Sequence, residues 1–204
     1  MSMHQEAQNY LAAADPLMRR LIQQHGSCTL EPQTKRQPYE SLVRAIAHQQ
    51  LHAKAAEAIL GRLIDALPGK FPQPDDLLNL PESTIRACGF SQSKIAALRD
   101  IALQTKNGVV PTRVRIAKLS DEEIVARLTQ IRGVGRWTVE MLLIFQLGRP
   151  DILPVDDFGV RNGFRVAKKL PEMPKPKELL AYGARWQPYR TVASWYLWRS
   201  VSPE

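Results

Sequence analysis

Residues 128–143 read LTQIRGVGRWTVEMLL, and the rest of the chain is best read outward from them. Gly133 and Gly135 flank Val134 between two helical patterns. Glycine tolerates positive φ and puts no Cβ beside the neighbouring N–H groups. A helix starting at Arg136 aims its free amides and the positive end of its dipole back at the turn. That arrangement makes an anion site, and Arg132 and Arg136 add charge beside it. A lone Gly-x-Gly also occurs in ordinary turns. The longer pattern, from Ile131 through Gly133-Val134-Gly135 to Thr138 with an amphipathic helix on each side, is far more restrictive.

Upstream, Ser120 and Glu123 form a capping-box pattern before IVARLTQI. Ser91 is a candidate N-cap for SQSKIAALRDIALQTKNG, just after a helix stop at Gly89. Apolar residues recur at helical spacing over 6–24 and over 39–67, the second run carrying a polar interruption at HQQLH. Short helices are expected over 75–80 and 82–88, and longer ones over 136–147, 158–169 and 188–200. TLEPQTKRQP (29–38) and PGKFPQPDD (68–76) read as loops, and LPEMPKPKE (170–178) as a linker. With no strand-like alternation of useful length, the fold class is all-α.

The 204 residues are 44% hydrophobic and 24% charged, which excludes a disordered chain. Lys plus Arg number 28 and Asp plus Glu 20, for a net charge of +8, and residues 91–170 hold 14 of those bases against 8 acids. A polyanion, nucleic acid first, is the expected partner, with its phosphates against that segment. Cys28 and Cys88 are too few for a disulfide scaffold or a cysteine-ligated metal centre. The N-terminus lacks the pattern of a signal peptide. The apolar run 141–145 is too short to span a bilayer. A soluble intracellular protein, with no membrane partner, is expected.

DILPVDDFGVR (151–161) follows the second hairpin helix. Asp156 and Asp157 stand where a helix opens, and aspartate there is a favoured N-cap. The same placement also presents a carboxylate beside a phosphate site. It could stabilise positive charge at a sugar carbon or activate water.

Taken together, LVRAIAHQQLHAKAA, GFSQSKIAALRDIA, the 128–161 segment and RWQPYRTVASWYLWR resemble the helix-hairpin-helix DNA glycosylase superfamily. Within it the chain looks most like the alkylpurine branch, the 3-methyladenine DNA glycosylase II proteins. The match runs from Leu42 to Arg199. The resemblance implies a two-lobed helical fold with its active site in the cleft between lobes. Residues 1–204 would be one glycosylase unit, with the helix-hairpin-helix element at about 121–148 and no additional N-terminal β domain.

It also implies roles. Trp137 stands where the bifunctional glycosylase/lyase relatives carry a Schiff-base lysine, so the enzyme would be monofunctional and use water. The catalytic carboxylate would be Asp157, although aligning on Pro-x-Asp instead selects Asp156. Trp137 and Trp198 would line the base pocket, with Met141 at a position where some relatives have tyrosine. Trp186 and Trp195 read as ordinary core tryptophans. A cationic alkylpurine stacked on tryptophan gains ~1–2 kcal/mol when desolvated. Arg132, Gly133, Val134, Gly135, Arg136 and Thr138 would hold DNA at the hairpin. Gln50, Leu51 and His52 resemble the loop that fills the gap left by a flipped nucleotide, Leu51 as the wedge. Ser91 and Lys94 would touch the phosphate backbone, although Ser91 reads equally as a plain N-cap.

The implied activity is hydrolysis of the N-glycosidic bond of alkylated purines, of 3-methyladenine or 7-methylguanine type, in double-stranded DNA. Base flipping would precede it, as a step of base excision repair. A lesion-recognising DNA-binding protein without catalysis shares the same features. No catalytic metal or cofactor is expected; the resemblance implies a structural monovalent cation on hairpin carbonyls near Gln130 and Val134. A monomer is expected, cytoplasmic and nucleoid-associated in a bacterium or nuclear in a eukaryote.

Overall fold

The computed structural model describes residues 3–33, 35–67 and 70–201, so Thr34 of the first expected loop and residues 68–69 of the second lie outside it. In chain order the helices are α1 Met3–Ala14, α2 Pro16–His25, α3 Pro38–His48, α4 Ala53–Asp65, α5 Pro74–Asn79, α6 Glu82–Ala87 and α7 Gln92–Lys106. They continue with α8 Arg113–Ile116, α9 Asp121–Leu128, α10 Arg136–Leu142, α11 Phe158–Lys168, α12 Pro176–Gly183 and α13 Arg190–Arg199. A π turn, Leu143–Leu147, follows α10, and a 3-10 turn, Ala184–Trp186, follows α12. No strand occurs among the described residues, as the all-α expectation requires. No described helix is long and apolar enough to cross a membrane.

The chain forms two compact units. One is continuous, Gln33–Leu142; the other joins Met1–Pro32 to Leu143–Glu204. In the continuous unit α3 packs on α4, α7 and α10, while α5 and α6 pack on α7 and α9 on α10. Leu42, Val43, Ile46, Leu60, Leu63, Leu98 and Ile101 are fully buried there. Helical spacing puts them on shared faces, and burying such faces is the main source of stability for short helices. In the discontinuous unit α13 packs on α11, α1 and α2.

Five segments depart from expectation. The 6–24 helix breaks at Asp15, because Pro16 has no N–H to continue the ladder and takes the first helical position instead. Asp15 is buried and accepts the Leu17 amide at 2.9 Å, the Trp186 indole at 2.8 Å and the Tyr182 hydroxyl at 3.2 Å. The expected 136–147 helix is α-helical only to Leu142 and then widens into the π turn. α12 starts inside the expected linker, with Pro176 at its first turn and Glu178 accepting the Lys175 amide at 2.8 Å. α8, a single turn, was not expected, and the last helix begins at Arg190 instead of residue 188.

Candidate functional site

α9, the hairpin turn and α10 lie in the continuous unit, whereas 143–148, the end of the expected element, belongs to the other. α9 opens on the Ser120–Glu123 capping box: the Glu123 amide donates to Ser120 Oγ at 3.1 Å and the Ser120 amide to Glu123 Oε2 at 2.7 Å. After α9 the Val134 amide donates to the Ile131 carbonyl at 3.1 Å, closing the turn. Gly133 has φ +77°, and a Cβ there would stand 2.9 Å from Ala97 Cβ and 3.4 Å from Ile46 Cδ1. So Gly133 is required twice over, for its backbone angle and for its seat against α3 and α7. A Cβ on Gly135 would meet nothing within 4 Å. Packing does not require that glycine; its bare backbone faces open space.

Two side chains fix the turn. Asp100 Oδ2 accepts the Arg132 amide at 2.7 Å, and Gln49 Nε2 donates to the Gly133 carbonyl at 2.9 Å. Val134 and Thr138 are buried, whereas Arg132, Gly133, Gly135, Arg136 and Trp137 are exposed. The first hydrogen bond of α10 runs from the Val139 amide to the Gly135 carbonyl at 3.2 Å, which leaves the amides before it at the helix's positive end. Arg136 donates to the buried carboxylate of Glu140 at 2.9 Å, which steadies its guanidinium beside that end. Trp137, 45% exposed, and the half-buried Met141 lie one turn apart on the same face of α10.

The loop between α3 and α4 carries Gln50, Leu51 and His52, all exposed. Gln50 sits at φ +56°, a left-handed angle that costs a non-glycine residue about 1–2 kcal/mol. Leu51 is 42% exposed, so it is not a core residue. Ser91 caps α7 by accepting the Lys94 amide at 3.4 Å, and it pairs with Ser93 Oγ at 3.0 Å. Lys94 directs its ammonium to the Ala47 carbonyl at 2.9 Å, at the C-terminal end of α3. Burial holds its pKa below the usual lysine value. That ammonium is thus engaged in bracing the exposed loop.

The carboxylate site lies in the discontinuous unit. Asp157 is the N-cap of α11, and its Oδ1 accepts both the Val160 amide and the Trp198 indole N–H, each at 2.8 Å. The approach of α13 that allows this depends on two glycines one turn apart. A Cβ on Gly163 would lie 1.9 Å from the Leu197 carbonyl oxygen, and one on Gly159 would lie 2.8 Å from Trp198 Cδ1. Trp198 also stacks on Phe145, ring centres 5.6 Å apart and planes 29° apart. Asp156 is exposed in the preceding turn. Trp186 is fully buried, as expected of a core residue, and Trp195 lies edge-on to Tyr196.

Sequence reading had passed over Phe145, Phe158, Gln49 and Asp100. Phe158 is 70% exposed, and the sequence signal for it is only its place directly after the capping aspartate. Phe145 sits in an apolar run that reads as core. Gln49 and Asp100 gave no signal, because their partners are backbone groups distant in sequence. Among the described residues, no group of three or more His, Cys, Asp or Glu side chains is placed to hold a metal ion.

Residues 43–188 match the family described as HhH-GPD superfamily base excision DNA repair protein. The chain is 44% identical to DNA-3-methyladenine glycosylase 1 of Schizosaccharomyces pombe, over 96% of its length and 86% of that protein's. The solved structure of the 3-methyladenine DNA glycosylase of that yeast, in complex with abasic DNA, superposes with a TM-score of 0.84 over 95% of each chain. A DNA-3-methyladenine glycosidase of Bacillus halodurans, 34% identical, superposes with a TM-score of 0.85 over 94% of this chain and 87% of its own. The chain belongs to the HhH-GPD superfamily of base excision DNA repair proteins, in its 3-methyladenine DNA glycosylase branch.

Proposed function

We propose that the chain is a monofunctional DNA glycosylase of the 3-methyladenine DNA glycosylase II type, which flips an alkylated purine out of double-stranded DNA and hydrolyses its N-glycosidic bond. The observation that carries this reading is Asp157, a carboxylate with one oxygen doubly held, in a chain of this family. Two donors on Oδ1, the Val160 amide and the Trp198 indole, fix the carboxylate's plane at the start of α11. Alkylation at a ring nitrogen makes the purine cationic, so when the bond to C1′ breaks the electron pair leaves with the base, which departs neutral. The positive charge moves to the sugar, where the Asp157 carboxylate stabilises it. Water then adds at C1′ and gives up its proton, completing the hydrolysis.

In this reading the exposed amides at the start of α10, with Arg132 and Arg136, hold a phosphate. Trp137 and Met141 supply part of the base pocket, where a tryptophan face attracts the cationic ring. Trp198 contributes twice, by its ring and by the N–H that orients Asp157. Leu51 fills the vacated stack, flanked by Gln50 and His52. Ser91 meets the phosphate backbone through the start of α7, while Lys94 acts indirectly through the Ala47 carbonyl. A monovalent cation on the Gln130 and Val134 carbonyls would further brace the hairpin; a hard cation takes oxygen ligands, and Gly133's carbonyl is already engaged by Gln49.

The test is release of 3-methyladenine and 7-methylguanine from methylated duplex DNA, followed with and without alkaline strand cleavage. Free base with strand breaks only after alkali is expected, and borohydride should trap no covalent complex. A trapped complex overturns the water mechanism. Tight binding without release favours the non-catalytic reading.

A further inference from the structure

The hydrogen bond from Gln49 Nε2 to the Gly133 carbonyl, 2.9 Å, joins two exposed segments separated by 84 residues in sequence. On one side is the hairpin turn. On the other is a loop of four residues, beginning at Gln49, in which Gln50 takes a left-handed backbone angle and Leu51 stands 42% exposed. A left-handed residue without a glycine persists only where its surroundings hold it. The contacts around it include Gln49 on Gly133, Lys94 Nζ on the Ala47 carbonyl of α3 at 2.9 Å, and the Leu51 amide on the His48 carbonyl at 3.2 Å. Only the first of these reaches the hairpin.

We propose that Gln49 is a positioning residue that sets the wedge loop by reference to the hairpin, so that seating the hairpin on a phosphate fixes where Leu51 enters the duplex. The proposal rests on the glycosylase reading above. The hairpin end of the link is stiff. Gly133 is seated against Ala97 and Ile46, and the adjacent Arg132 amide is held by Asp100 at 2.7 Å. The loop end is not packed, since Gln50, Leu51 and His52 are all exposed. A stiff anchor joined by one directional bond to an unpacked loop transmits position without adding core stability. Displacing a positioning element by about 1 Å can cost ~100-fold in rate.

The experiment compares the full-length wild type with Gln49→Met, which keeps size but cannot donate, and Gln49→Glu, which sets a carboxylate against a carbonyl. Each is assayed for single-turnover release of 7-methylguanine, affinity for undamaged duplex, and thermal midpoint. A fourth readout is the fluorescence of 2-aminopurine beside a tetrahydrofuran abasic site, which rises when the stack is opened. Asp157→Asn serves as a control that should lose release and keep the fluorescence rise. Both Gln49 variants are expected to release base ~10- to 100-fold more slowly and to lose most of the fluorescence rise. Their thermal midpoint and undamaged-duplex affinity should stay at the wild-type values. Wild-type release and fluorescence in both variants overturn the proposal. So does a parallel fall in thermal midpoint and undamaged-duplex affinity, which marks a plain scaffold contact. If the wild type releases no base, the glycosylase reading fails, while the fluorescence comparison still decides whether Gln49 sets the loop.

Discussion

The carboxylate region and the hairpin region solve opposite problems. Around Asp157, helices α11 and α13 approach so closely that neither Gly159 nor Gly163 has room for a methyl group. The carboxylate's Oδ1 is saturated by two donors at 2.8 Å. Around the hairpin, Arg132, Gly133, Gly135 and Arg136 are exposed, and single side-chain bonds from Gln49 and Asp100 hold the backbone. A group that stabilises a transient charge gains from being immobile before the substrate arrives. A surface that must follow a duplex gains more from open amides and mobile cations. The contrast teaches that the carboxylate is held by close helix packing, whereas the hairpin turn is braced from beneath by side-chain bonds and leaves its glycines and arginines exposed.

The sharpest way to break this contrast is Asp157→Asn. Asparagine caps a helix about as well as aspartate, so a purely structural Asp157 would tolerate the change. As the group that stabilises the sugar cation, it should instead lose ~10²–10³ in single-turnover rate with folding and DNA binding retained. Asp156→Asn should be far milder; the reverse order would move the catalytic assignment by one residue. Next in size, Gly163→Ala drives a methyl into the Leu197 carbonyl and should cost about 3 kcal/mol in a denaturant titration. Stability close to wild type would mean that the two helices are not locked together.

Trp198→Phe keeps an aromatic ring to face Phe145 but removes the donor to Asp157. Hydrogen bonds to charged groups are worth ~1.5–3 kcal/mol, so base release should slow ~10-fold or more while the thermal midpoint shifts little. An unchanged rate would confine Trp198 to stacking. The smallest effect belongs to the hairpin. Arg132→Ala should weaken binding to damaged and undamaged duplexes alike and reduce the log–log salt slope by ~0.9, with saturated release rates unchanged. An effect confined to damaged DNA would place Arg132 in lesion recognition.

Much of this organisation is legible in the sequence because it rests on local rules. The capping box at Ser120 and the N-caps at Ser91 and Asp157 are set by residues three apart, and all three form as read. The hairpin glycines announce the turn, although only the structure separates Gly133, which has no room for a side chain, from Gly135, which has ample room. What stayed hidden is non-local. Periodicity over 6–24 continues through Asp15 because the break is made by Pro16 together with a buried acceptor whose donors lie near residue 186. The proline-rich 170–178 segment hid α12, since Pro176 reads as a helix breaker until its place at the first turn is known. Trp198 could be read as a pocket ring, but its bond to Asp157 spans 41 residues and depends on two glycines that look unremarkable in a helix.

The buried Asp15 also bears on how the protein is made. Its three donors come from Leu17, Tyr182 and Trp186, so the buried acceptor that opens α2 is satisfied in part by side chains more than 160 residues further along the chain. Gln33–Leu142 forms a continuous unit between the two segments that make up the other. Domains generally fold as units while the ribosome adds ~5–20 residues per second. At that rate roughly 8–30 s separate the end of α2 at His25 from the arrival of the Tyr182 and Trp186 donors. That interval is when the nascent chain is exposed to chaperones and proteases, and a translational pause after residue 142 lengthens it.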